Sequence, residues 1–265
     1  MRPDNPPGSG ADCAPDPNPE TPETRTLPAR AAFPFPGLSS VDTKLYGRRR
    51  GRPIRVHKTA LLENLLPQLR FDLPAAGMLD PVTLFPRPVD DVWLEVGFGS
   101  GEHLAEQAAQ HPTIGMIGCE PFLNGVASLL QHIDERALTT IRVYPDDARP
   151  VLDALPDRSI GRCFVLFADP WPKKRHHDRR FIGPANLARL ARVLKPGAEL
   201  RLASDDRSLL AWMFDHSWRH PDFEWLARGA SDWRQRPTDW PPSRYEQKAI
   251  EAGRTPVFLR FRRRS

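Results

Sequence analysis

Three glycines alternate in the chain directly after an apolar run, in the segment Val92-Trp-Leu-Glu-Val-Gly-Phe-Gly-Ser-Gly-Glu102. Gly97, Gly99 and Gly101 permit a sharp turn and a close approach of the backbone to a nucleotide-like ligand. A dinucleotide fingerprint needs its third glycine one position later, where a glutamate stands. Glu95 would repel a pyrophosphate but attract the cationic amino group of S-adenosylmethionine. Spacing and charge therefore favour a methyl donor.

Acidic residues follow the next three apolar runs as well. Glu120 comes about 20 residues after the loop, the distance at which a doubly wound fold places a carboxylate on ribose hydroxyls. Asp146 and Asp147 follow the third run, and Asp169 follows the fourth. A lone Asp after a strand is more often a helix N-cap or a solvated loop residue. Four strands that each deliver acids to one sheet edge predict a ligand site instead.

The elements that must position these residues alternate between strand and helix patterns. This order predicts an α/β fold, a doubly wound and mostly parallel seven-stranded sheet that binds ligands at the carboxyl ends of its strands. The predicted strands are 92–96, 114–119, 140–144, 163–168, 199–203, 223–226 and 257–261. The predicted helices are 102–110, 121–136, 184–194 and 207–218. The last two strands are expected to close the sheet as a hairpin-like pair.

Composition separates the chain into two parts. Residues 1–40 hold ten of the 30 prolines and few aliphatic residues, so we predict a disordered tail before a domain that spans 41–265. No signal-peptide core and no apolar run near 20 residues is present. We therefore expect neither secretion nor a membrane-spanning segment, and we expect a cytoplasmic protein. The three cysteines, Cys13, Cys119 and Cys163, lack metal-ligand spacing, and no metal is predicted. Monomer and homodimer both stay open.

Basic residues are clustered although the net charge is a modest +5. One cluster starts the domain, in segment 41–58, a second occupies 173–180 and a third ends the chain at 260–264. Such clusters often decorate solvated loops without a partner. The second one directly follows Asp169-Pro-Trp-Pro172, however, and would form a positive rim for the phosphates of RNA or DNA. The expected RNA contacts in it are Lys174, Arg175, Arg179 and Arg180.

Taken together, four segments resemble the bacterial tRNA (guanine-N7-)-methyltransferase family. They are Glu95-Val-Gly-Phe-Gly-Ser-Gly-Glu102, Gly118-Cys-Glu-Pro121, Asp169-Pro-Trp-Pro-Lys-Lys-Arg-His176 and Ser243-Arg-Tyr-Glu246. The glycine loop is generic, whereas the Asp-Pro-Trp-Pro segment is highly specific. The resemblance covers about residues 41–265. It implies a class I methyltransferase fold and transfer of a methyl group from S-adenosylmethionine to N7 of guanosine 46 in the variable loop of tRNA.

The resemblance also implies roles for individual residues. Asp169 resembles the residue placed between donor and acceptor, with a catalytic role. The implied cofactor contacts are Glu95, Gly97, Gly99, Gly101, Glu120, Asp147 and Asp169. The implied substrate contacts are Lys173, Asp205, Ser243, Arg244, Tyr245 and Glu246. Asp205 has an alternative, because an acid at this position could cap the following helix. Asp178 departs from the family pattern, which weakens the expectation of a phosphate contact there.

Guanine N7 has a free lone pair and no proton, so its methylation needs no general base. We therefore expect Asp169 to orient the base and stabilise its developing charge. Trp171 could stack on the guanine or simply pack the loop. Two other classes stay open: a DNA or RNA amino-methyltransferase, which usually has Asp/Asn-Pro-Pro-aromatic at this point, and a non-catalytic RNA-binding module, which would be expected to lack Glu95, Glu120 or Asp169.

Overall fold

The computed structural model describes residues 46–265, and within them seven strands form one sheet. The predicted tail and the first positions of the basic segment lie outside these residues. The strands are β1 (Asp91–Val96), β2 (Ile114–Cys119), β3 (Ile141–Tyr144), β4 (Ile160–Leu166), β5 (Leu194–Ser204), β6 (Phe223–Trp225) and β7 (Val257–Arg263). Their order is β3-β2-β1-β4-β5-β7-β6. The first five run parallel, and β7 lies antiparallel to both β5 and β6. The predicted fold and the closing pair are confirmed.

Helices connect the strands. They are α1 (Val56–Asn64), α2 (Leu66–Leu69), α3 (Glu102–Gln110), α4 (Leu123–Arg136), α5 (Ala148–Ala154), α6 (Pro184–Val193), α7 (Arg207–Arg219), α8 (Ser231–Arg234) and α9 (Arg244–Glu251). Two 3₁₀ turns lie at Pro81–Leu84 and Lys174–Arg179. All four predicted helices are present, with ends within two residues of the prediction. None of these helices is long and apolar enough to cross a membrane.

Alternating residues of the strands feed two separate hydrophobic cores. Val92, Leu94 and Val96 of β1 pack in one core with α5, α6 and α7. Trp93 of the same strand and Phe164 of β4 belong to the other core, which α2, α3 and α4 cover. Side chains of a strand point alternately to opposite faces, so a strand with both faces buried must be apolar at nearly every position. This explains the continuous apolar runs in the sequence.

The sequence missed several short helices. α5 has only seven residues and contains a proline, which leaves little periodic pattern to detect. α9 could have been predicted from the sequence, because Ser243 and Glu246 have the Ser-x-x-Glu spacing of a capping box. Ser243 Oγ accepts a hydrogen bond from the Glu246 amide at 3.1 Å, which is half of that box. The missed helix thus lies in the segment that was predicted to contact substrate.

Gly101 ends the glycine loop and begins α3, with φ at +81°. A Cβ atom there would lie 2.6 Å from Leu129 Cβ and 3.0 Å from Leu129 Cα on α4. The loop therefore needs glycine both for its backbone conformation and for the close packing of α3 on α4.

We expect Gly101→Ala to lower the free energy of unfolding by about 3 kcal/mol, since left-handed strain and overpacking add together. Gly77→Ala is the matched control, because Gly77 has φ +86° but no atom within 4 Å of the added Cβ. It should lose only about 1 kcal/mol. Urea denaturation of both variants measures the difference. Equal losses would show that contact with Leu129 contributes nothing.

Candidate active site

A cavity of about 480 Å³ opens at the carboxyl ends of β1 to β4. Eight of the predicted site residues line it: Gly97, Gly99, Glu120, Asp147, Asp169, Arg179, Arg180 and Tyr245. The remaining predicted site residues do not: Glu95, Gly101, Lys173, Lys174, Arg175, Asp205, Ser243, Arg244 and Glu246. The fold thus brings the glycine loop and four strand-end acids, Asp146 included, to one open cavity. This is the crevice in which open α/β sheets bind ligands.

The glycine loop forms one wall of the cavity. Gly99 has φ +57°, and a Cβ added to it would lie 2.6 Å from the ring of Tyr245. Tyr245 is on α9, at the end of the long connection between β6 and β7. A bare backbone at Gly99 therefore allows an aromatic ring from the predicted substrate segment to lie directly on the cofactor loop.

Glu120 joins this loop to the end of β2. Its Oε2 accepts a hydrogen bond from the Gly99 amide and its Oε1 accepts one from the Phe122 amide, both at 2.8 Å. Burial raises the pKa of Glu120 to about 7, although the two amide hydrogen bonds oppose that shift. Nearby carboxylates, Asp169 and Glu95, raise it further. The group is thus poised to titrate near neutral pH.

Glu95 does not line the cavity, although its chain neighbours Val96 and Gly97 do. Only 3% of its side chain is exposed. Its Oε2 lies 2.7 Å from Nδ1 of His103, a residue of α3. The predicted cofactor contact is therefore a buried carboxylate that a histidine holds from the helix side of the sheet.

The two acids after β3 have separate partners. Asp147 caps α5 by accepting a hydrogen bond from the Arg149 amide at 3.0 Å, and its carboxylate also pairs with the Arg149 guanidinium. Asp146 is buried and pairs with Arg49 of the basic segment at 2.9 Å. The sequence grouped Arg49 with the polyanion-binding residues, whereas the structure ties it to the cavity wall.

Asp169 is exposed and lies in a turn with unusual backbone geometry. Phe167 and Trp171, on either side of it, have φ values of +51° and +43°, which side-chain-bearing residues rarely adopt. Arg180 holds this turn, because its Nε donates to the Pro170 carbonyl at 2.9 Å. Such strained residues persist only where their surroundings enforce them, and they cluster at functional sites.

Arg180 has hydrogen-bond partners within the chain. The residue is buried, and its guanidinium also donates to the carbonyl and hydroxyl oxygens of Ser208. These hydrogen bonds anchor the Asp169 turn to α7. An RNA contact by Arg180 stays a prediction.

Aromatic and cationic groups meet at the mouth of the cavity. The Arg179 guanidinium lies 4.2 Å from the ring centroid of Tyr46 and 5.1 Å from that of Trp171. The two rings are 6.2 Å apart and roughly perpendicular. Tyr46 belongs to the basic segment, and nothing in the sequence predicts that it lies at the cavity. Lys173, Lys174 and Arg175 follow this cluster and are exposed.

The late predicted substrate contacts have structural partners. Asp205 pairs with Arg254, while the cap of α7 is Asp206, which accepts from the Leu209 amide at 2.7 Å. The alternative that Asp205 caps this helix is therefore wrong. Glu246 is buried and pairs with Arg236. Arg244 beside it is exposed. Among the described residues, no group of three or more His, Cys, Asp or Glu side chains is arranged to hold a metal ion.

Comparisons with known proteins decide the family. A family model described as "Putative methyltransferase" matches residues 90–259. The tRNA (guanine-N(7)-)-methyltransferase of Rhodospirillum rubrum is 53% identical over 87% of this chain and 91% of its own. The chain belongs to the tRNA (guanine-N7)-methyltransferase family. The tRNA (guanine-N(7)-)-methyltransferase of Paramagnetospirillum magneticum is 53% identical, over 84% of this chain and 93% of its own. That of Agrobacterium fabrum is 48% identical, over 85% of this chain and 97% of its own.

The cavity fits S-adenosylmethionine, the methyl donor of this enzyme class. Gly97 is open, since no atom lies within 4 Å of a Cβ placed on it, so a ligand can approach the backbone closely. The carboxylates of Glu120 and Asp147 lie at consecutive strand ends, where hydroxyl and amine donors of a nucleoside find acceptors. The hydrogen-bond acceptors of the cavity therefore match the hydroxyl and amine donors of this cofactor.

Affinity for S-adenosylhomocysteine should fall as the pH is lowered through 7. The Glu120 carboxylate accepts hydrogen bonds at both oxygens, whereas protonation turns one of them into a donor. A pKa of about 7 means that most of Glu120 is protonated at pH 6. We expect the Kd to rise by about tenfold between pH 8 and pH 6, following the ionised fraction. Isothermal titration calorimetry checks this, with Glu120→Gln as the control whose affinity does not vary over that range. A pH-independent Kd for the wild type would contradict it.

Proposed function

We propose that this chain transfers the methyl group of S-adenosylmethionine to N7 of guanosine 46 in the variable loop of tRNA, forming 7-methylguanosine. The observation that supports this most is the convergence of Gly99, Glu120 and Asp169 on one cavity in a chain that belongs to this family. The substrate is tRNA, and the expected place of action is the cytoplasm.

The reaction places few chemical demands on the protein. Bound S-adenosylmethionine supplies an electrophilic methyl group, and guanine N7 supplies a lone pair without a proton to remove. The protein must therefore position N7 in line with the methyl group. Such preorganised geometry can lower the activation barrier by roughly several kcal/mol. No residue is needed as a general base.

Asp169 is the residue best suited to orient the base. Its carboxylate is exposed at the cavity, and no hydrogen bond within the described residues engages it. It can accept hydrogen bonds from N1–H and the exocyclic amine of guanine, which adenine cannot donate in the same pattern. The same negative charge favours the positive charge that the ring acquires. Asp169 thus serves specificity and charge stabilisation together.

The mouth of the cavity suits an unpaired purine. Trp171 and Tyr46 present aromatic rings, and aromatic stacking is a common way for proteins to hold an extruded RNA base. Lys173, Lys174 and Arg175 extend from this point as exposed cations for the phosphates on either side.

The target is tested with two unmodified tRNA transcripts that differ only in guanosine or adenosine at position 46. Methyl transfer from labelled S-adenosylmethionine should occur on the guanosine transcript alone. Reduction and aniline treatment should then cleave that chain at position 46, which identifies N7. Label on both transcripts would discard the proposed target, and no label on either would favour a non-catalytic RNA-binding module.

The basic rim is tested by salt dependence. Replacing Lys173 and Lys174 by alanine should weaken tRNA binding and reduce the slope of log Kd against log salt by about 1.5, since two phosphate contacts are lost. The control pair is Arg87 and Arg158, exposed residues just before β1 and β4 at the opposite edge of the sheet. Their replacement by alanine should leave the slope unchanged. Equal slopes for both double variants would show that Lys173 and Lys174 do not contact the phosphates of tRNA.

A further inference from the structure

His103 is a buried histidine for which the reaction has no direct use. It lies on α3, one helical position after Glu102, with 3% of its side chain exposed. Its Nδ1 lies 2.7 Å from Oε2 of Glu95 on β1. The imidazole thus connects the first helix after the glycine loop to the strand before it, across the loop itself.

The hydrogen bonds of the described residues engage only one oxygen of Glu95. Oε2 is held by His103, whereas Oε1 has no hydrogen-bond partner in that part of the chain. Glu95 directly precedes Val96 and Gly97, which line the cavity. Glu95 thus keeps unused acceptor capacity at one oxygen, at a buried position one residue before the cavity lining.

The two ring nitrogens of His103 lie in different surroundings. Nε2 is buried and has no partner among residues 46–265. Nδ1 faces Oε2 of Glu95 and is the ring nitrogen placed to donate to it. The imidazole therefore sets the direction of the carboxylate through this one contact.

Packing fixes the orientation of the imidazole. The ring of His103 lies 4.8 Å from that of Phe164, edge to face, and 6.2 Å from that of Trp240. Trp240 is itself buried, and the carbonyl of its neighbour Asp239 accepts a hydrogen bond from Gln107, one turn after His103 on α3. The rings of Phe164 on β4 and Trp240 in the β6–β7 connection therefore restrict the turning of the imidazole away from Glu95.

We propose that His103 is a positioning residue, which directs the Glu95 carboxylate at the ammonium group of the methyl donor. The inference rests on the proposed function, because it takes Glu95 as the ligand of that ammonium. A donor held at one oxygen restricts the carboxylate to a single orientation, so the ligand meets a preorganised acceptor. His103 itself contacts neither the donor nor the base.

The test uses two ligands that differ in the group concerned. S-adenosylhomocysteine has the amino acid ammonium, whereas 5′-methylthioadenosine shares its adenosine and thioether but lacks the amino acid moiety, both ammonium and carboxylate. His103→Leu should raise the Kd for S-adenosylhomocysteine by about tenfold, the share of one charge-assisted hydrogen bond. The Kd for methylthioadenosine should stay within about twofold of the wild-type value, because both ligands use the same nucleoside contacts. Calorimetry on the full chain measures both.

Two further variants separate positioning from packing. His103→Asn places an amide N–H near the position of Nδ1 and should restore S-adenosylhomocysteine affinity to within about threefold. His103→Phe keeps an aromatic ring against Phe164 and Trp240 but cannot donate, so it should behave like His103→Leu. His103→Phe also replaces His103→Leu as the loss variant if the latter does not fold.

An equal loss for both ligands, or no loss for either, overturns the inference, since a merely structural histidine does not discriminate between them. Glu95→Gln shows which of the two assumptions is wrong. If Glu95→Gln changes the ratio of the two Kd values and His103→Leu does not, Glu95 binds the ammonium group but His103 does not position it. If Glu95→Gln leaves the ratio unchanged, both the ammonium contact of Glu95 and the positioning role of His103 are wrong. The guanosine and adenosine transcripts test methyl transfer independently of either result.

Discussion

A single buried carboxylate connects the two strand ends on which the cavity depends. The Glu120 carboxylate accepts one hydrogen bond from the Gly99 amide, in the loop after β1, and another from the Phe122 amide, at the start of α4. These hydrogen bonds fix the glycine loop in the shape that exposes its backbone. They also compensate in part for the burial that raises the pKa of Glu120 to about 7. The cavity wall is thus built on a carboxylate whose burial is offset only in part by its two amide hydrogen bonds.

The strained turn around Asp169 needs a comparable support. Two non-glycine residues with positive φ cost about 1–3 kcal/mol each. Arg180 offsets this by donating to Pro170 while it bonds Ser208 on α7, so the turn is fixed to a helix that packs on the sheet. The physical consequence is that Asp169 remains exposed in a defined position. An exposed acid on a flexible loop would not orient a base.

A buried arginine of the sheet holds the long connection between β6 and β7. Arg201 on β5 is 1% exposed, and its guanidinium lies 2.6 Å from the carboxylate of Asp239. Trp240 then fills the core beside Phe164. From this anchor the chain enters α9, which brings Tyr245 onto Gly99. The glycine loop and α9 are therefore in contact within the described part of the chain, and the ring of His103 lies beside Trp240.

The sequence by itself determined the sheet, its order of elements and the acids at its edge. Apolar runs that end in glycine or acid, at regular intervals, leave few other folds that can bury both faces of a strand. Which acid faces the ligand and which basic residue faces the solvent was decided by tertiary structure alone. Asp146 and Asp147 are adjacent in the sequence, as are Arg179 and Arg180, yet each pair divides between different partners. Local sequence does not encode this division, because hydrogen-bond partners such as Arg49 and Ser208 arrive from distant parts of the chain.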